Sequence, residues 1–219
     1  MDALINVNGE QVQTLEILFL TTLITLLPSL LVMMTSFTRY IISFSFLRTA
    51  MGLQQTPPNM VLVGIALFLT LFTMSPVLDT IRVEAYEPYA AEQITQEEFI
   101  DRAEVPLKEF MARQTEDSSL KLFCDLAHVE VPADAQIQDL PLRILVPAFM
   151  TSELKRAFMI GFFLYIPFVL IDVVVASTLM SMGMIMLPPS MISMPFKLLL
   201  FIALNGWELL FSTLIQGFQ

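Results

Sequence analysis

Apolar positions in this chain come in long unbroken runs. No charged residue falls between 17 and 38, 49 and 78, 157 and 171, or 173 and 196. Three of these windows exceed the ~18 consecutive uncharged, mostly apolar residues expected of a membrane-crossing helix. The pattern predicts four long helices. The first runs from Ile17 to Leu47 with a bend at Pro28, and the second from Met60 to Leu78. The third runs from Arg143 to Met182 with bends at Pro147 and Pro167, and the fourth from Phe196 to Phe218. Two breaker-rich stretches separate the members of each pair: GLQQTPPN at 52–59 and GMIMLPPSMISMP at 183–195. Gly52 can end a helix, and Pro57–Pro58 cannot continue one. The predicted fold class is an all-α membrane protein of two long kinked helical hairpins. The repeated Pro–Pro tip hints at an internal duplication.

Polar positions concentrate between the hairpins, which gives three segments: 1–78 with the first hairpin, 79–143 as a small helical insert, and 144–219 with the second hairpin. The insert reads as two or three short amphipathic helices. Thr95-Gln-Glu-Glu98 fits a capping box, in which hydroxyl and carboxylate each satisfy a free amide. Pro106 suits the first position of a helix through LKEFMARQ. Leu120, Phe123, Leu126 and Ala127 recur at helical spacing, and 131–141 reads as loop.

Charge sharpens this picture. Only 15% of the 219 residues are charged and the mean hydropathy is +0.72, whereas soluble domains carry about 25% charged residues. The net charge is −10, and residues 79–143 hold fifteen Asp/Glu against six Lys/Arg. Such an acidic segment offers no basic face for nucleic acid. One cysteine, Cys124, and one histidine, His128, exclude an internal disulfide and a Cys/His zinc cluster within the chain. Cys124 reads as a small buried residue of an amphipathic helix. The first basic residue is Arg39, so no cleavable signal peptide is visible, and the first apolar stretch reads as a permanent span unless the chain begins at a processed terminus. Arg39, Arg48 and Lys197 flank the tips, which the positive-inside rule assigns to the cytoplasm. The acidic insert and both ends then lie outside.

Charges within apolar runs cost free energy unless paired or hydrated, which singles out Arg39, Glu153, Asp172, Lys197 and Glu208. Glu153 and Asp172 are 19 residues apart, or about 28 Å along one helix, too far for a carboxylate dyad. Pairing between helices or subunits is expected instead: Glu153 or Asp172 with Lys197 or Arg39. Arg39 and Glu208 could equally snorkel at a bilayer boundary. Six methionines (180, 182, 184, 186, 191 and 194) crowd the second tip. Their flexible thioethers could close a pore around moving cargo or simply fill gaps, and chemistry leaves both readings open. Cu(I) ligation lacks a nearby Cys or His. No nucleophile elbow, phosphate loop, HExxH or EF-hand pattern is present, so no catalysis, cofactor or metal is expected.

Taken together, MMTSFTRYIISFSFLRTAMGLQQTPPN (33–59), LFLTLFTMSPVLD (67–79), LVPAFMTSELKRAFMIGFFLYIPFVLIDVVVAS (145–177) and MGMIMLPPSMISMPFKLLLF followed by NGW (182–207) resemble the FliP/SctR family of type III secretion export-gate proteins. VEAYEPY (83–89) and PLKEFMARQTEDSSLKLF (106–123) favour the flagellar branch. Two features depart from the family pattern: the missing signal peptide, and Asn205, where an Asp usually precedes Gly-Trp. The resemblance implies a non-enzymatic core subunit of the flagellar export gate in the bacterial inner membrane, at the basal body, with the insert periplasmic. It implies about five self-associated copies, FliQ-like and FliR-like subunits, and FlhB- and FlhA-like proteins. Unfolded export substrates would pass through the centre. It implies that Met182, Met184 and Met186 form a pore gasket and that Glu153 and Lys197 bridge adjacent subunits. It also implies that four apolar helices need not be four simple spans. The alternatives are an injectisome paralogue of the SctR type, a small secondary transporter built on mid-membrane charges such as Asp172, and an intramembrane hydrolase, which lacks a plausible dyad.

Overall fold

The structure, a computed structural model, describes residues 4–7, 10–129 and 140–218. Helices dominate. A short antiparallel ribbon, β1 (Leu4–Val7) and β2 (Glu10–Gln13), pairs Leu4 with Gln13 and Val7 with Glu10. It leads into α1 (Thr14–Met34) and α2 (Phe37–Ala50). The expected single helix from 17 to 47 is therefore two helices, with a bend of 81° between them. Pro28 lies inside α1 and is not the break. The break falls at Thr35–Ser36, where hydroxyls compete for backbone groups. Thr35 donates to the Leu31 carbonyl and accepts from the Phe37 amide, and Thr38 reaches back to the Val32 carbonyl at 2.7 Å. Such bonds offer the chain an alternative to the helical ladder.

α3 (Asn59–Ile81) runs on through a π-helical turn (Arg82–Tyr86) into α4 (Glu87–Ala90). The apolar second helix thus enters the acidic segment without a break. α5 (Gln96–Gln114) starts at the Thr95 capping box, with both reciprocal bonds present. Because that box begins the helix early, Pro106 sits in its interior and is buried, not at a first position. α6 (Asp117–Ala127) turns Ser119, Phe123 and Cys124 inward, while Leu122 and Leu126 face outward. The inward face is thus rotated from the expected stripe, because α6 lies along α7. Most of the segment assigned to loop, 131–139, lies outside the described residues.

α7 (Leu142–Ser181) is a single helix of 40 residues. α8 (Pro189–Ala203) begins earlier than expected, at the Pro–Pro pair itself. It does not continue to Phe218: a 63° bend separates it from α9 (Gly206–Gln216). Asn205 takes the left-handed conformation there (φ 48°, ψ 48°), which Asn tolerates better than most residues. The ring of Phe201 lies 2.3 Å from where a Cβ on Gly206 would stand, so the turn closes only over glycine.

Both hairpin tips are built alike. After α2, Gly52 (φ 79°) donates to the Thr49 carbonyl and Leu53 to the Arg48 carbonyl. After α7, Gly183 (φ 78°) donates to Met180 and Met184 to Leu179 in the same pattern. This is a Schellman stop, which needs a left-handed residue and satisfies the last carbonyls. A proline pair then supplies the residue that starts the return helix, Pro58 in one tip and Pro188 in the other.

Two apolar clusters form the interior. One joins Tyr40, Phe44 and Leu47 of α2 with Leu62 and Ala66 of α3, Phe168 of α7, and Leu210 and Leu214 of α9. The other joins Met34, Met74 and Val77 with Phe110 and Met111 of the insert and Leu145 and Phe149 of α7. Among the described residues, two helical segments are long and apolar enough to cross a membrane, Asn59–Ala90 and Leu142–Ser181, and the two bent pairs raise this to four if each counts as one span.

Candidate functional site

Four of the five singled-out charges gather into two clusters, held at different heights along α7. In the first, the guanidinium of Arg39 is only 2% exposed and Glu153 is fully buried. Arg39 grips both carboxylate oxygens of Glu153, donating from Nε at 2.8 Å and also from Nη2. The two-pronged geometry matches the planar fork of arginine to the carboxylate. Arg39 has further donors, and the fold supplies acceptors for them. Nη1 reaches the Gly217 carbonyl at 2.9 Å and Nη2 the Gln114 Oε1 at 3.2 Å. The Phe218 ring lies 3.5 Å from the guanidinium carbon, in cation–π contact.

Gln114 is the hub's second member. Its Oε1 also accepts from Arg156 at 2.6 Å, and its Nε2 donates to the Phe218 carbonyl at 3.3 Å. Sequence reasoning did not find it, because a glutamine at the end of a polar helix breaks no pattern. Phe218 was missed for the opposite reason, as one more apolar residue in an apolar run.

Beside the hub, the insert is tied to α7 at the start of α6. The Glu116 amide donates to Ser152 Oγ at 3.0 Å, and Lys155 Nζ meets the Glu116 carboxylate at 2.6 Å. The ammonium of Lys155 holds the Glu116 carboxyl below its usual range. The tie therefore contributes at neutral pH and is lost as pH falls through that lowered value.

The second cluster lies near the tips. Lys197 is 5% exposed, donates to Asp172 Oδ2 at 2.6 Å and caps the end of α2 by donating to the Ala50 carbonyl at 3.0 Å. Ser193, fully buried, donates to Asp172 Oδ1 at 2.6 Å. A cation at a helix C-terminus also answers the helix dipole. Within the described chain, then, Glu153 takes Arg39, Lys197 takes Asp172, and Glu153 and Lys197 do not meet. Glu208 is exposed on α9, away from the buried Leu210 and Leu214.

Beyond Lys197 stands the methionine tip. Met182, Met184 and Met186 are 63%, 42% and 98% exposed on a turn whose base is fixed by Gly183 and the Lys197 cluster. Among the described residues no group of three or more His, Cys, Asp or Glu side chains could hold a metal ion. The arrangement offers one buried and one half-buried ion pair that fix helix register, and an exposed apolar tip.

A family model described as the FliP family matches residues 20–214 of this chain. The flagellar biosynthetic protein FliP of Pectobacterium carotovorum subsp. carotovorum is 53% identical over 213 residues, covering 96% of this chain and 82% of that protein. The protein of that name from Bacillus subtilis (strain 168) is 49% identical over 205 residues, covering 94% of this chain and 92% of its own length. The one from Aquifex aeolicus (strain VF5) is 46% identical over 211 residues, covering 96% and 88%.

Proposed function

The chain belongs to the FliP family and is a component of the flagellar export apparatus, and from that premise we propose that several copies assemble in the inner membrane into a channel for unfolded flagellar subunits. FliQ-like and FliR-like chains would complete the channel, with FlhB- and FlhA-like proteins beside it. The acidic insert would face the periplasm. The subunit does no chemistry. It supplies walls and a closure.

The observation that carries this reading is the outer face of α7. Exposed apolar side chains run along it from Leu154 through Phe158, Phe162, Phe163, Ile166, Leu170, Val173 and Val174 to Met180. That band is about 39 Å long at 1.5 Å per residue, against a hydrocarbon core of ~30 Å. A helix at the usual ~20° tilt keeps more than a turn of this band outside the lipid. Lipid covers most of the band, and a neighbouring subunit packed on α7 would cover the remainder. The tip supports the same reading: a ring of copies would bring the exposed methionines of each subunit to one axis. A Glu153–Lys197 bridge between neighbouring copies would require both residues to exchange or share their intrachain partners.

Native mass spectrometry of the protein, co-expressed with FliQ-like and FliR-like chains of the same genome, tests the proposal. A discrete complex with about five copies plus those chains is the expected result. A monomer indifferent to them would overturn it.

A further inference from the structure

We infer that Gly217–Phe218, just past α9, form a clasp that holds the acidic insert against both hairpins. Phe218 packs against both apolar clusters, and among the described residues no other partly buried apolar side chain does so. Its ring meets Tyr40 of α2 edge-on, with centroids 5.5 Å apart, and stacks on Phe110 of α5 at 6.1 Å. The Arg39 guanidinium lies against the same ring.

The main chain repeats the connection. Arg39 of the first hairpin donates to the Gly217 carbonyl and Gln114 of the insert to the Phe218 carbonyl. Both donors are also tied to α7, Arg39 through Glu153 and Gln114 through Arg156. A segment of two residues thus touches α2, α5 and the polar hub at once. Elsewhere the insert is held to α7 by the packing of Phe110 and Met111 on Leu145 and Phe149, by the half-exposed Glu116–Lys155 pair and by the Ser152 bond. Exposed pairs of that kind hold little, whereas a desolvated cation and two ring contacts hold more. The clasp adds to the packing of α5 on α7 by stacking on Phe110 and tying Gln114, so its loss eases the opening of α5, while Leu210 and Leu214 keep α9 itself in the hairpin core. Gln114 and Phe218 act as positioning residues, keeping Arg39 seated on Glu153.

Hydrogen exchange of the full chain in detergent tests this. In Phe218→Ala the amides of 96–114 should exchange about tenfold faster or more, as expected when ring and cation contacts are lost from a local opening unit. Amides around Leu210 and Leu214 should be unchanged. Phe218→Leu retains an apolar side chain but offers no ring to Arg39, Tyr40 or Phe110, and should move 96–114 in the same direction. Gln216→Ala, on the exposed side of the same helix end, should leave it alone. Unchanged exchange of 96–114 in both Phe218 variants would overturn the inference. So would uniform acceleration across α2, α7 and α9, which would make Phe218 an ordinary core residue.

Discussion

Arg39 carries more hydrogen-bond donors than one carboxylate can use, and the fold supplies acceptors of three origins: a carboxylate from α7, an amide oxygen from α5 and a carbonyl after α9. Removing one partner of such a buried pair strands the other charge out of water. Glu153→Ala should therefore destabilise the protein by about 3–5 kcal/mol, while replacing both partners with apolar side chains (Arg39→Met with Glu153→Leu) should recover most of that loss. Denaturant unfolding in detergent, followed by tryptophan fluorescence from the single Trp207, measures both. A single variant no worse than the double would show the pair to be dispensable. Sequence reading reached these charges because a charge in an apolar run stands out. It could not choose among the pairings: Arg39, Glu153, Asp172 and Lys197 permit two crossed sets, and only the packing of α2 on α7 and α8 on α7 separates them.

Elements were legible where a local rule decides the backbone. The capping box at Thr95 and the two tip stops are written in adjacent residues, and each forms as its chemistry requires. The breaks at Thr35–Ser36 and Leu204–Asn205 were not legible. Thr bends a helix only when its hydroxyl turns to the backbone, as those of Thr35 and Thr38 do, and Asn-Gly ends one only when a neighbour demands the turn. Proline misled twice in the same way, since Pro28 and Pro106 are both accommodated inside helices. The two kinds of glycine should respond differently. Gly183→Ala places a Cβ in open space but forces a left-handed alanine, at a cost of about 1–2 kcal/mol. Gly206→Ala drives a methyl into the Phe201 ring, and overpacking of that kind costs about 1–3 kcal/mol. A companion Phe201→Ala, which removes the ring, should relieve strain only in the Gly206 variant. Thermal unfolding of the four chains would show whether it does, and equal relief in both would argue against the packing account.

At the scale of the molecule, α7 is the spine: it carries Glu153, Asp172 and the insert contacts on one continuous helix. The membrane class and the two hairpins could be read from hydropathy alone, and the flagellar branch from short motifs. How many of the four apolar segments span could not, because hydropathy does not distinguish lipid from a neighbouring subunit. The methionine tip belongs to this scale too, since the proposed ring of copies would bring its exposed side chains together. Replacing Met182, Met184 and Met186 together by Ala should leave oligomer assembly intact and raise leakage of small solutes through reconstituted complexes. Unchanged permeability would remove the gasket role.

Cys124 gives these experiments a practical handle. It is the chain's one thiol, and α6 keeps it turned toward the interior. A cysteine placed at a tip or along the outer face of α7 would therefore be the fast-reacting thiol without prior removal of the native one. The slow reaction of Cys124 itself would time the moments when the insert lifts away from its spine.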